Sequence, residues 1–389
     1  MRFLHPDGTT VHLAYCTNVH PAETLDGIVE QLAQFAGPAR HRLGVPRLGV
    51  GLWLAADLAA RLVAEPQAVA RLRGELDGLG LEVFTLNGFP YRGFHAPVVK
   101  RAVYVPDWAQ PARLEYTLNL ARVLVALMPQ DVTRGSVSTL PLAWRTAWTR
   151  AQRVAAARHL DELVVGLKVI EAETGRKVRV AMEPEPGCVA ETVEQAVAAL
   201  TGVDRDWVGV CLDACHLAVT HEDPAQAVAH LAEAAVAVVK LQASAALEAS
   251  RPGAPEVQEA LRPFAEPRFL HQTREAAADG VVLGADDLGP ALAGGLPARA
   301  PWRIHYHVPL YQRPDAPLDS TVDTLRETLR LLFGGPRALT DHIEVETYTW
   351  SVLPERSRPA DGAGLVEGLA AELDWARREL LALGLREQG

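Results

Sequence analysis

Cysteine is scarce in this chain. Its four, Cys16, Cys188, Cys211 and Cys215, are scattered and form no CxxC pair, so there is no disulfide framework and a reduced, cytoplasmic protein is expected. Positive charge is also short. Thirty-eight Lys and Arg face 48 Asp and Glu, for a net charge of −10. An acidic surface does not favour phosphate backbones or anionic membranes, so nucleic acid is not an expected partner. No apolar run is long enough to span a bilayer, Ala232–Val239 being too short, and the segment Met1 to His12 lacks the apolar core of a signal peptide. Membrane insertion is therefore not expected. No GxGxxG or GxxxxGK[ST] follows an apolar run, which removes support from a nucleotide-binding doubly wound sheet. A serine hydrolase is excluded for want of a nucleophile elbow.

What the chain does have is 49% hydrophobic residues over a length of 389, enough to bury a large core. Short β-branched runs alternate with longer Ala/Leu/Arg/Glu-rich segments. The runs are Val11–Val19, Leu48–Leu54, Glu82–Phe89, Val132–Leu140, Lys177–Glu183, Trp207–Asp213, Val236–Gln242 and His342–Trp350. Helical patterns lie between them, among them Leu25–Phe35, Ala55–Leu79, Pro111–Leu127, Thr192–Leu200 and Pro224–Ala235, with Gly364–Leu383 after the last run. Strands alternating with helices of this length predict an α/β fold with a parallel sheet, and eight units predict a (β/α)₈ TIM barrel in a single domain. The stretch 243–338 is too long for one helix. It predicts an insertion between the seventh and eighth strands, over the C-terminal mouth, with strands at Arg268–Thr273 and Trp302–Leu310.

Polar residues recur where these strands end. The fifth runs into Glu183-Pro184-Glu185-Pro186, the sixth into Asp213-Ala214-Cys215-His216 and the seventh into Lys240-Leu241-Gln242. The insertion supplies His305-Tyr306-His307, and the last strand Glu344-Val345-Glu346. In a barrel these ends converge, and clustered carboxylates need a counter-charge. Mixed carboxylate and imidazole donors suit a divalent metal: Mn, Mg, Fe, Co or Zn. His305 and His307 are two apart and share a face. Glu344 is assigned to the opposite face of its strand, in a structural or salt-bridge role. Glu185 or Glu183 is the expected base, and Lys240 the expected acid or oxyanion partner. His20, Asn87 and His95 at the early strand ends are candidate substrate contacts, and Tyr104, Trp108 and Trp350 candidate pocket walls. Plainer roles compete with several of these. Asp213 could be a helix N-cap, His216 a core histidine and the aromatic residues packing.

Glu-Pro-x-Pro at Glu183, Asp-x-x-His at Asp213–His216 and the final acid Glu346 resemble the metal motifs of xylose isomerase and of the related endonuclease IV and tagatose epimerase families. The resemblance implies Glu183, Asp213 and Glu346 as ligands of an inner metal, with Asp213 bridging, and His216, His305 and His307 at a second metal. Gln242, also taken as a ligand, stands where xylose isomerase has a carboxylate. Lys240 stands where it has His, and Glu185 where it has its catalytic Lys. A likeness along nearly the whole chain, carried by Tyr15–Pro21, Leu86–Tyr91, Val103–Trp108, Met182–Cys188, Cys211–His216 and Glu346–Trp350, is to the TIM-barrel protein of bacterial ebo metabolite-traffic clusters. It implies a small-molecule metabolite and, from cluster context, protein partners. Isomerase or epimerase chemistry on a sugar, polyol or sugar-like metabolite is the leading expectation. A metal-dependent phosphoester hydrolase and a non-catalytic carrier are the alternatives.

Overall fold

Eight apolar runs form parallel strands in the computed structural model, which describes residues 1–388. They are β1 (Thr10–Cys16), β2 (Leu48–Trp53), β3 (Leu81–Asn87), β4 (Arg134–Thr139), β5 (Lys177–Met182), β6 (Val208–Asp213), β7 (Val238–Ala243) and β8 (His342–Val345). Each pairs with the next, and β8 returns to β1 with His342 opposite His12 and Val345 opposite Tyr15, closing the barrel. Most strand residues are buried, because helices cover the outside while side chains fill the inside. The expected α/β barrel is present.

The departures have local causes. The helix expected over Ala55–Leu79 is two, Ala56–Ala64 and Pro66–Leu79. Glu65 precedes Pro66 and sits at φ −117° and ψ 91°, outside the helical region that a following proline ring disfavours. The last strand stops at Val345, and a 3₁₀ turn, Tyr348–Ser351, follows. A short antiparallel pair, Arg2–Leu4 with Arg386–Gln388, extends the sheet beside β1. No helix among the described residues is long and apolar enough to cross a membrane.

Between β7 and β8 lie five short strands, Ala246–Ala249, Thr273–Ala276, Val282–Ala285, Trp302–His307 and Asp319–Ser320. They form a separate antiparallel sheet. The strand expected at Arg268–Thr273 instead begins at Thr273. The helix Val322–Phe333 follows, burying Leu325, Leu329 and Leu332 on one face. The second sheet delivers His305 and His307 to the C-terminal mouth of the barrel, where the strand-end acids converge.

Candidate metal centre

Glu183 follows β5 directly, Asp213 is the last residue of β6, and Glu346 follows β8. Parallel pairing therefore brings the three acids to one level, and one carboxylate oxygen from each falls within 4.8 Å of the others. All three are buried. Two unit charges at this separation repel by about 3–4 kcal/mol at an effective dielectric of about 20. Three such pairs amount to roughly 10 kcal/mol, comparable to the whole stability of a domain, about 5–15 kcal/mol. The triad thus requires protons or a cation. Burial, then Glu346 and Asp213, push the Glu183 carboxyl well above its usual range; burial, then Asp213 and Glu344, do the same to Glu346.

Each acid is positioned by one part of its carboxylate or backbone and leaves an oxygen to the centre. Asp213 Oδ1 accepts from His216 N (2.9 Å), capping the helix Ala214–Val219, and from Ser244 Oγ (2.8 Å). Its Oδ2 is buried without a partner, as is Glu183 Oε2. Glu346 Oε1 accepts from Asn18 Nδ2 (2.6 Å) and Asn87 Nδ2 (2.8 Å). The N-cap reading of Asp213 and the ligand reading therefore belong to different oxygens of one carboxylate. Gln242 is paired in register with Asp213 on one side and Glu344 on the other, and both atoms of its buried amide lack partners.

Three imidazoles stand beside the acids, each fixed through Nδ1. That atom of His216 donates to Pro184 O (2.8 Å), that of His307 to Glu346 O (2.6 Å) and that of His305 to Gln272 Oε1 (2.8 Å). The Gln272 amide is oriented by its own donation to Pro186 O (2.8 Å). In the neutral ring, donation from Nδ1 leaves the lone pair on Nε2. His216 Nε2 lies 3.1 Å from His305 Nε2, and buried His307 Nε2 has no hydrogen-bond partner, with Asp213 Oδ2 4.0 Å away. Asp213, His216 and His307 form a second set of potential ligand atoms within 4.8 Å of one another. His271, between Glu266 and the His305 carbonyl, braces this arrangement. Orphaned carboxylate oxygens, an orphaned amide and bare imidazole nitrogens in one buried cluster are the donors a divalent cation takes, so the residues present fit such an ion.

Glu185 stands apart from the triad. Its Oε1 accepts from Tyr104 Oη (2.6 Å) and Gln272 Nε2 (3.3 Å), and burial raises its pKa to about 7. A cavity of about 50 Å³ opens over these groups. Asn18, Asn87, Tyr104, Glu183, Glu185, His216, His305, His307 and Glu346 line its polar side.

Several expectations are corrected. Lys240 is fully buried with its Nζ 2.5 Å from Glu344 Oε2, and it does not line the cavity. Burial is the largest single influence and would discharge it, but Glu344, with Cys211 and Cys16 adding to it, together outweigh burial and hold the ammonium charged. It is a structural counter-ion, not an acid facing substrate. Glu344 shares the inward face of β8 with Glu346, because residues two apart in a strand point the same way. A Cβ on Gly51 would stand 1.3 Å from Glu344 Oε1, so only glycine leaves room there. His20 stacks on Phe35 at 4.4 Å between ring centres and meets Tyr15 Oη, so it is part of the core. His95 holds the Asn18 carbonyl (2.6 Å), outside the cavity wall. Trp108 donates to Leu140 O, and Trp350 packs on Gly368 and Tyr311; both are packing residues. Asn87 and Tyr104 do line the cavity, but both are engaged with its acids. Gln272, Ser244, Phe94 and Phe269 were not singled out from the sequence. They lie in loops, where no periodicity marks the inward face.

A larger hollow of about 700 Å³ lies at the opposite end of the barrel. Its Arg2 and Arg47 are spent on Glu82 and Asp131, and it holds no comparable cluster.

The family model for xylose isomerase-like TIM barrels matches residues 48–259. A xylose isomerase-like TIM barrel protein from Mycobacterium smegmatis, solved in complex with magnesium, aligns over 95% of this chain and 98% of its own at 14% identity, with a TM-score of 0.51. A protein from Anabaena variabilis, provisionally assigned as a sugar phosphate isomerase/epimerase, aligns over 96% and 99% at 15% identity, with a TM-score of 0.50. D-psicose 3-epimerase from Clostridium cellulolyticum, with D-tagatose, aligns over 95% and 99% at 14% identity, with a TM-score of 0.49. These likenesses concern the fold. No curated protein matches the sequence.

Proposed function

The chain belongs to the xylose isomerase-like TIM barrel family, and on that premise we propose that it is a divalent-metal-dependent isomerase or epimerase of a sugar, polyol or sugar-like metabolite. The observation that carries this reading is the convergence of three buried acids and three bare imidazole nitrogens beneath one cavity. Glu183, Asp213 and Glu346 would hold one ion, with Gln242 beside them. His216, His305 and His307 would complete a second position that shares Asp213. A divalent ion supplies Lewis-acid polarisation of a carbonyl or hydroxyl oxygen.

The remaining work falls to the chain. Asn18 and Asn87 hold Glu346 through one oxygen, and Gln272 orients His305. Glu185 faces the cavity without joining the triad, so it is free to move a proton between carbons or oxygens of the substrate. Tyr104 and Gln272 steady it for that task. The likeness to the ebo-cluster protein suggests a metabolite on a secondary-metabolite handling route.

The test is proton exchange. Ketoses and aldoses incubated in D₂O with the Mn²⁺-loaded protein should take up deuterium at the carbon beside the carbonyl. Uptake should vanish with a chelator and in Glu185→Gln. A metal-loaded protein that catalyses neither uptake into nor isomerisation of any of them contradicts the reading. Binding without either would instead favour the carrier reading, which the neutral Gln242 motivates.

A further inference from the structure

The cavity has a second wall of different chemistry. Phe94, Phe269 and Tyr348 meet one another at ring-centre distances of 5.1, 5.3 and 5.0 Å, and Val99 packs into the same cluster, separate from the barrel core. All four line the cavity, with Val103 and Phe89 beside them. Tyr348 Oη comes within 3.5 Å of His305 Nε2, so this apolar roof directly abuts the imidazoles.

The same cavity offers no free positive charge from the protein. No arginine lines it, and its one lysine, Lys100, is spent. Lys100 Nζ donates to Asp287 (2.6 Å), Phe269 O (2.6 Å) and Glu266 O (3.3 Å), which uses all three ammonium hydrogens. Of the described α-helices only Ala214–Val219 contributes a residue to the cavity wall, and its N-terminus is capped by Asp213. Away from the metal centre, phosphate esters are held by arginine forks, free lysines or open helix N-termini, and along this cavity each is absent or occupied.

We infer that the substrate is uncharged and two-sided, with an oxygen-bearing edge toward the acids and histidines and an apolar or aromatic face against Phe94, Phe269 and Tyr348, and that phosphorylated sugars are rejected. This rests on the metal-centre reading above. The space of about 50 Å³ holds only a few waters.

The test uses matched ligands on the full chain loaded with Mn²⁺, with metal retention measured first and ligand affinity second, by calorimetry. 1-Phenyl-1,2-ethanediol should bind at least tenfold tighter than 1,2-propanediol, and fructose at least tenfold tighter than fructose 6-phosphate. Phe94→Ala and Phe269→Ala should each erase most of the phenyl advantage while leaving the Mn²⁺ affinity unchanged. In a protein that retains its metal, equal or tighter binding of the phosphate ester, or no phenyl advantage, overturns the inference and leaves the metal reading standing. A protein that retains no metal overturns both.

Discussion

His216 Nε2 and His305 Nε2 face each other at 3.1 Å, each on a ring whose other nitrogen already donates elsewhere. Two lone pairs at that distance repel unless a proton or a cation lies between them. Within a cluster of buried carboxylates the cation is the better solution, because it also answers their charge. His305→Ala should therefore lower the number of ions bound per chain, or weaken binding where only one is held, as read by calorimetric titration with Zn²⁺. Unchanged stoichiometry and affinity would make the pair a structural contact.

Gln272 holds His305 through Nδ1 and is anchored on Pro186 O. Gln272→Leu keeps the bulk and removes the acceptor, so the ring is free to turn. Metal affinity should fall roughly 10–100-fold, the usual effect of losing such a partner. A chelator competition assay reads this directly, and an unchanged affinity would deny Gln272 a positioning role.

Lys240 and Glu344 neutralise each other inside the barrel. Lys240→Met strands a buried carboxylate and should cost about 3–5 kcal/mol of stability. Combining it with Glu344→Leu should recover most of that loss in denaturant titrations. If the single variant is as stable as wild type, the pair is not the counter-charge described.

Glu372 is buried in the C-terminal helix, where it accepts from Thr347 Oγ1 (2.6 Å) and Leu310 N (3.1 Å). Burial raises its pKa to about 7 from an ordinary value of 4.5. Because the folded value lies above the unfolded one, its contribution is fully present below about pH 4.5 and is lost as pH rises through 7. The loss is roughly 3 kcal/mol at most. Glu372→Gln keeps the acceptor and removes the charge, so its stability relative to wild type should grow between pH 5 and pH 8. A constant difference across that range would contradict the assignment.

The metal-site acids were legible because each stands at the end of an apolar run, and parallel pairing leaves such residues nowhere to go but the mouth. Lys240 and Glu344 were legible in principle too. Each lies two residues before a residue of the candidate centre, Gln242 and Glu346, so strand alternation puts both inside the barrel one layer deeper. The loop residues were not legible. His20, His95, Trp108 and Trp350 lie outside the regular strands, where residue type says nothing about direction, and each turned to packing or to a backbone carbonyl. Phe94, Phe269 and Gln272 reach the cavity from equally irregular segments. Phe269 and Gln272 are brought there by the fold of the segment between β7 and β8, and Phe94 by the loop after β3, long-range arrangements with no local signature.

The most direct test of the centre is elemental analysis of untagged wild type beside Asp213→Ala and Glu346→Ala by plasma mass spectrometry, after soaking in Mn²⁺ or Zn²⁺ and desalting. One or more ions per chain in wild type, lost in both variants with the helical circular dichroism intact, is the expected result. A wild type that stays metal-free after soaking would mean that the three buried carboxylates persist by sharing protons, and the metal-dependent reading would fall.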